Sequence, residues 1–200
     1  EGKFAAPTPY STSDFSNCVA AADVNGDNKP DIIVTNVHSD TVGVLLNTGT
    51  GTFLAQTTYA TGPLPTYVIT ADVNGDKKPD IVVTNAHANQ IGVLLNTGTG
   101  TFTTQTSYPS GNYPNNVIAV DVNGDKKPDI VVTNLEENTL YVYLNQGNGT
   151  FAAPTSYITD FKPWGLVAAD VNGDGNLDII VGDSVTSKIG VFIAYVDTQS

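Results

Sequence analysis

The chain has 200 residues, enough for one domain with a full hydrophobic core. It carries 20 Asp+Glu against 8 Lys+Arg, a formal net charge of −12. That balance excludes nucleic acid and anionic membrane surfaces as partners, since both need clustered positive charge; the single cysteine, Cys18, excludes an internal disulfide, and no apolar run is long enough to insert into a bilayer.

The chain opens with GKFAAPTPY over residues 2–10, a β-type segment that returns almost unchanged as GTFAAPTSY over residues 149–157. The whole sequence is periodic. The string DVNGD begins at Asp23, Asp72, Asp121 and Asp170, each step being 49 residues. Phe4, Phe53, Phe102 and Phe151 keep the same step, as do Tyr10, Tyr59, Tyr108 and Tyr157.

Within the second period four runs are predicted as strands: Tyr67 to Val73, Asp80 to Asn85, Ile91 to Asn96 and Thr101 to Tyr108. Each is rich in β-branched or aromatic residues and bounded by Gly, Asn, Asp or Pro. Thr-Gly-Thr-Gly between the third and fourth runs supplies hairpin chemistry. Four antiparallel strands per period predict one propeller blade, and four periods predict an all-β propeller forming a single domain over residues 1–200. The expected blades span roughly 14–59, 63–108, 112–157 and 161–196 plus 1–10.

The last period stops after its third run, IGVFIAYVDTQS. The N-terminal strand is therefore expected to complete the last blade, which removes two exposed pairing edges. Closure within one chain gives a four-bladed monomer, the favoured expectation. Closure between two chains gives a homodimeric eight-bladed ring, and four copies also suit a segment of a longer array.

The turn after the first strand of each period reads DVNGDNKPD, DVNGDKKPD, DVNGDKKPD and DVNGDGNLD. Positions 1, 3 and 5 offer side-chain oxygens from Asp23, Asn25 and Asp27; Asp72, Asn74 and Asp76; Asp121, Asn123 and Asp125; and Asp170, Asn172 and Asp174. Position 7 offers a backbone carbonyl from Lys29, Lys78, Lys127 or Asn176, and position 9 a closing carboxylate from Asp31, Asp80, Asp129 or Asp178. Calcium takes about six to eight oxygens, and this donor set contains nothing else. Zinc would want Cys or His. The closing acid at position 9, with an apolar strand after it, distinguishes the loop from an EF-hand. Of the 20 acids, 3 × 4 = 12 lie in these loops, so four Ca²⁺ would bring −12 to −12 + 8 = −4.

The pattern of an apolar-flanked Asp-x-Asn-Gly-Asp-x-x-x-Asp followed by VxVLLNxGxGxF resembles the FG-GAP repeats, also called VCBS-type repeats, of integrin α-subunit propellers and many secreted proteins. Three copies carry both parts, Asp23 to Phe53, Asp72 to Phe102 and Asp121 to Phe151, and the fourth departs after Phe192. The resemblance implies a propeller, calcium in the loops, and extracellular adhesion, carbohydrate binding or a scaffold role beside a catalytic domain.

The loops between blades, and those joining second to third strands, differ between copies. A repeated frame with varied loops suits a binding surface, and Phe15, Tyr67, Tyr113 and Trp164 are its candidate stacking residues. No nucleophile, acid–base pair or phosphate loop stands apart from the repeated acids, so no enzyme is expected. The chain reads as a secreted or cell-surface, calcium-stabilised binding module for a glycan or protein ligand, with a purely structural repeat scaffold as the alternative.

Overall fold

A computed structural model describes residues 2–195. The β-branched runs form fifteen strands in four antiparallel sheets, one per period. The first sheet contains β1 (Ser16–Ala22), β2 (Asp31–Asn36), β3 (Thr41–Leu45) and β4 (Thr57–Ala60). The second contains β5 (Pro65–Ala71), β6 (Asp80–Asn85), β7 (Gln90–Leu94) and β8 (Thr106–Pro109). The third contains β9 (Pro114–Val120), β10 (Asp129–Asn134), β11 (Thr139–Tyr143) and β12 (Thr155–Ile158). The fourth contains β13 (Pro163–Ala169), β14 (Asp178–Asp183) and β15 (Ile189–Phe192). Every sheet is a simple meander, with neighbouring strands consecutive in the chain.

The core is a series of seams between sheets. Side chains alternate across a strand, so the second strand of each sheet feeds two seams. Ile81 and Val83 of β6 pack towards the first sheet, against Ile33, Val42 and Val44. Val82 points the other way, into a seam with Val117, Ile130 and Val132. Val131 turns from β10 towards Leu166, Ile179 and Val181 of the fourth sheet. Uninterrupted apolar second strands such as IVV are what a strand buried on both faces requires. Among the described residues no seam joins the fourth sheet to the first.

The fourth run of each period is shorter than expected. In the second period an isolated bridge, Asn96 to Phe102, precedes a break, and β8 begins only at Thr106. Gln105 lies in this break and folds its side chain over Gly92, where a Cβ would fall 2.1 Å from the amide oxygen; its Oε1 accepts from Asn85 Nδ2 at 3.2 Å. Gln56 covers Gly43 in the same way. In the third period Tyr141 replaces the glycine and Pro154 replaces the glutamine, a paired change that keeps the space filled.

The expected closure by the N-terminal strand is not seen. The fourth sheet has three strands among the described residues, and residues 2–10 pair with none of them. The aromatic step places Tyr10 elsewhere, edge-on to Phe53 of the first sheet with ring centroids 5.4 Å apart. Tyr59 meets Phe102 at 5.4 Å and Tyr108 meets Phe151 at 5.5 Å in the same way. Tyr10 thus stands on the first sheet as the fourth strand of a preceding blade would. It could also pair with β15 only if the fourth and first sheets were neighbours. Residue 1 and the segment 196–200, which the expected last blade and closing strand touch, lie outside the described residues.

Candidate functional site

The four acidic loops join the first and second strands of each sheet and share one backbone design. Gly26, Gly75, Gly124 and Gly173 at position 4 have φ near +80° (78, 80, 80 and 80), which explains the glycine there. In the first loop Asp23 Oδ1 accepts the N–H groups of Gly26 at 2.8 Å and Asp27 at 3.1 Å, and its Oδ2 accepts that of Asn28 at 2.7 Å. Asn25 Oδ1 accepts from Asp27 at 3.0 Å, and Asp27 Oδ1 accepts from Lys29 at 3.0 Å. The fourth loop repeats this with Asp170, Asn172 and Asp174.

The carboxylates therefore rest on the amides of their own loop. Among the described residues no three carboxylate, imidazole or thiol groups converge into a cage. The donor set nonetheless suits a hard cation, since every side chain at positions 1, 3, 5 and 9 ends in an oxygen, and a carboxylate accepting two or three hydrogen bonds keeps further lone pairs.

The position-9 acids behave differently from the rest. Asp31, Asp80, Asp129 and Asp178 are fully buried. Asp80 accepts the Val73 N–H at 3.0 Å and the Asn96 N–H at 2.7 Å. Burial pushes the Asp80 carboxyl above its ordinary range against these hydrogen bonds, and the charges of Asp76 and Asp72 push the same way. Asp129 is raised for the same reasons, with Asp125 and Asp121 as the repelling neighbours. At position 5 the direction reverses: the Lys127 ammonium and amide, both hydrogen-bonded to Asp125, hold that carboxyl low.

Lysine at position 7 has a role beyond the carbonyl expected of it. Lys29, Lys78 and Lys127 pair with Asp27, Asp76 and Asp125 at 3.2, 3.3 and 2.9 Å. Each lysine stem crosses the glycine of the next turn: a Cβ on Gly49 would lie 2.6 Å from Lys29 Cε. The fourth loop has Asn176 instead, and Asn172 Nδ2 donates to Asp174 at 3.0 Å. It is the one loop of the four without an ammonium of its own.

Sequence reading missed the role of the asparagine two residues beyond the third strand. Asn96 Nδ2 donates to the Val24 carbonyl of the preceding sheet at 2.9 Å and to Pro79 at 3.0 Å. Asn145 does the same to Val73 at 3.0 Å and Pro128 at 2.9 Å. These amides tie each acidic loop to the next sheet. Their signal was the repeat itself, because Asn47, Asn96 and Asn145 keep the 49-residue step.

Three of the four candidate aromatics come together, Phe15 and Tyr113 from loops between sheets and Trp164 from the start of β13. Phe15, Tyr113 and Trp164 line one cavity of about 500 Å³ with Asn17, Asn115 and Glu136. Tyr67 does not join them. It lies within β5 and packs, partly buried, into the seam between the second and third sheets. The residue equivalent to Phe15 and Tyr113 is Leu64, and it lines the cavity.

All three hold left-handed backbone, with φ of 52° at Phe15, 57° at Leu64 and 58° at Tyr113. Such angles are costly for bulky side chains, on the order of 1–3 kcal/mol each. Hydrogen bonds hold them there. Leu64 N–H donates to Asp40 Oδ1 at 3.0 Å and Tyr113 N–H to Asn89 Oδ1 at 3.0 Å, while their carbonyls accept from Ala86 and Leu135 at 2.9 and 3.0 Å. His38 stacks on Phe15 with centroids 5.0 Å apart, and Lys162, the counterpart of Tyr113, pairs with Glu136 at 2.9 Å.

The sequence profile of the FG-GAP-like repeat matches residues 23–83, 72–132 and 121–181. No curated protein sequence matches the chain. Among solved structures, a lectin from Agrocybe aegerita that recognises non-reducing terminal N-acetylglucosamine is similar, with a TM-score of 0.58 and 24% identity over 86% of this chain and 50% of that one. The biofilm matrix protein Bap1 of V. cholerae gives 0.57 and 22% over 87% of this chain and 26% of that one. A functionally unknown protein from Desulfotomaculum acetoxidans gives 0.61 and 16% over 95% and 60%. The chain thus spans less than two thirds of each of these structures.

Proposed function

The chain belongs to the FG-GAP-like repeat family, and from that premise we propose that it is a non-enzymatic, extracellular binding module that holds a glycan on its inter-sheet loop face and is steadied by calcium in its acidic loops. The observation that carries the ligand reading is the convergence of Phe15, Tyr113 and Trp164, from three different sheets, on one cavity whose walls include Asn17, Asn115 and Glu136. Aromatic faces with amide and carboxylate groups between them suit a sugar ring, which presents C–H on its faces and hydroxyls at its edge. Strained backbone at Phe15 and Tyr113 supports the reading, because such strain concentrates at ligand sites. The similar lectin and biofilm matrix protein are consistent with an extracellular binding role.

Calcium would be held by the side chains at positions 1, 3, 5 and 9 and would relieve the repulsion that the loop carboxylates exert on Asp80 and Asp129. Its part is structural. The loops lead directly into β2, β6, β10 and β14, the most buried strands of their sheets, so an ion there steadies the start of each strand.

Trp164 is the one tryptophan in the chain and is 54% exposed, so its fluorescence reports the cavity directly. Titration with a panel of short oligosaccharides, N-acetylglucosamine-terminated ones included, in calcium buffer should give a saturable change that Tyr113→Ala removes. A panel that leaves the emission unmoved would favour the scaffold reading.

A further inference from the structure

The geometry points to Asn148 as the acceptor of an N-linked oligosaccharide, carried on the hairpin turn between β11 and β12. The inference rests on the extracellular reading above; it does not require calcium in the loops or a sugar in the cavity.

Among the asparagines of the chain, one begins the sequence Asn-x-Ser/Thr with x other than proline: Asn148, followed by Gly149 and Thr150. The period places Thr50 and Thr99 at its position in the first two copies, inside Thr-Gly-Thr-Gly-Thr. The third copy thus departs from its neighbours at the acceptor residue itself.

The turn does not need asparagine for its shape. An isolated bridge from Asn145 to Phe151 closes it, and the Gln146 N–H donates to the Thr150 carbonyl at 2.9 Å. Its left-handed angles fall on Gly147 and Gly149, with φ of 84° and 81°, and not on Asn148. Threonine also serves the local hydrogen bonding: the Thr50 and Thr99 hydroxyls meet those of Thr52 and Thr101 at 3.0 and 3.1 Å. Asn148 keeps this link through its carbonyl oxygen, which accepts the Thr150 N–H at 3.1 Å and lies 2.5 Å from Thr150 Oγ1. What asparagine adds is Nδ2, and among the described residues that nitrogen has no hydrogen-bond partner.

Asn148 and Thr150 are exposed, whereas Gly149 between them is buried. The Gly149 N–H donates to the Val73 carbonyl of the second sheet at 3.2 Å, and a Cβ on it would fall 3.0 Å from Leu95 Cδ2. The middle residue pins the turn to the neighbouring sheet and leaves its two flanks in solvent. A bulky, hydrophilic oligosaccharide suits a nitrogen placed in this way.

In an antiparallel meander the turn from third to fourth strand lies at the same end as the acidic loops. Gly147 accordingly borders Asp72, Gly75 and Lys127. The cavity of Phe15, Tyr113 and Trp164 opens at the other end, so a glycan on Asn148 leaves it free.

The donor is a polyprenyl-pyrophosphate oligosaccharide, presented by a membrane-bound transferase. Nδ2 attacks the sugar C1 and the C1–N bond forms. The C1–O bond to phosphate breaks, the pyrophosphate leaves with the bonding pair, and the amide sheds one proton. Nothing is oxidised or reduced.

The full chain, behind a cleavable secretion leader, is expressed in mammalian cells and collected from medium and microsomes. The leader supplies the route, and the Trp164 titration reports the cavity separately, so this test and the binding reading fail independently. The product should exceed 20.9 kDa by one oligosaccharide and return to that mass with peptide-N-glycosidase. Mass spectrometry should then place the hydrolysed amide at Asn148. Asn148→Thr restores the residue of the first two copies, so the turn is kept, and it should run as the bare chain with or without the glycosidase. Thr150→Val, which removes the hydroxyl and keeps the side-chain shape, should lose the glycan as well. A bare-chain mass for the native sequence in both fractions, or glycosidase-sensitive mass that survives Asn148→Thr, would overturn the site.

Discussion

Asn96 is the hinge-pin between two sheets: its backbone N–H donates to the buried Asp80 carboxylate at 2.7 Å, while its side-chain amide reaches the Val24 carbonyl of the preceding sheet at 2.9 Å. One residue thus links a loop, the third strand of its own sheet and the loop of its neighbour. Removing either partner leaves buried polar groups without partners. Asp80→Ala strips acceptors from the N–H groups of Val73 and Asn96, and we predict a loss of roughly 2–4 kcal/mol by urea unfolding. The calcium dependence of the residual stability should also weaken. A change below about 0.5 kcal/mol, the ordinary size of a surface substitution, would remove the structural role assigned to Asp80.

Asn96→Asp is the sharper test of the inter-sheet link. It keeps an oxygen for the Gly98 N–H, now at 2.7 Å from Asn96 Oδ1. It turns the amide donors facing the Val24 and Pro79 carbonyls into an acceptor. A charge facing two carbonyl oxygens is repelled, so Asn96→Asp should be less stable than Asn96→Ala, which only leaves the carbonyls bare. Equal urea midpoints for the two variants would show that the amide contacts contribute little.

The repeat made much of this legible. A fixed 49-residue step located the first three strands of each sheet within a few residues and placed 12 of the 20 acids in four loops, but the fourth strand begins later than expected and residues 2–10, expected as a strand, form none. It also carried Asn96 and Gln105, whose roles went unread because each acts across space on a neighbour that spacing cannot identify. Tyr67 directly follows the Gly- and Pro-containing segment ATGPLPT, where a surface aromatic is expected. It lies inside β5, just past an irregularity in register between Pro65 and Tyr67, and its ring packs into the seam between the second and third sheets. Strain was invisible in the sequence too: nothing in the identity of Phe15, Leu64 or Tyr113 announces a positive φ.

Calcium should raise the thermal midpoint, and chelation should lower it. A ligand at a hundredfold its dissociation constant stabilises by about 2.7 kcal/mol per site. The fourth loop has no lysine beside its acids, so its charge is the least compensated. Asp170→Ala should therefore lower the calcium-dependent increment more than Asp23→Ala does. Calorimetry that finds the same midpoint in calcium and in chelator would end the calcium reading.

Cys18 is half-buried, and burial pushes its thiol above the ordinary range, outweighing the backbone hydrogen bonding at Val68 and Val19 that acts in the opposite direction. A raised thiol value means less thiolate at a given pH, and the thiolate is the reacting form. Reaction with a disulfide reagent at pH 8 should be slower than for a free thiol, because burial lowers both the thiolate fraction and access to the sulfur. The rate should go on climbing above pH 9 and jump on unfolding in urea. A native rate equal to the unfolded one would mean that β1 leaves the sulfur open.

Gly92 and Gln105 provide a test of packing by coupling. A methyl group at Gly92 would fall 2.1 Å from Gln105 Oε1, so Gly92→Ala must expel the glutamine and break its bond to Asn85 Nδ2. The expected cost is roughly 1–3 kcal/mol. Gln105→Ala alone should cost less, because a half-exposed side chain is lost and the glycine stays uncrowded. If the collision is the cause, the double variant should recover much of the loss, with a coupling of about 1 kcal/mol in its favour. The third period already holds a large side chain, Tyr141, at this position beside Pro154, so Gly92→Tyr with Gln105→Pro should be tolerated where Gly92→Tyr alone is not. Additive losses across the cycle would trace the cost of Gly92→Ala to the backbone and not to the glutamine.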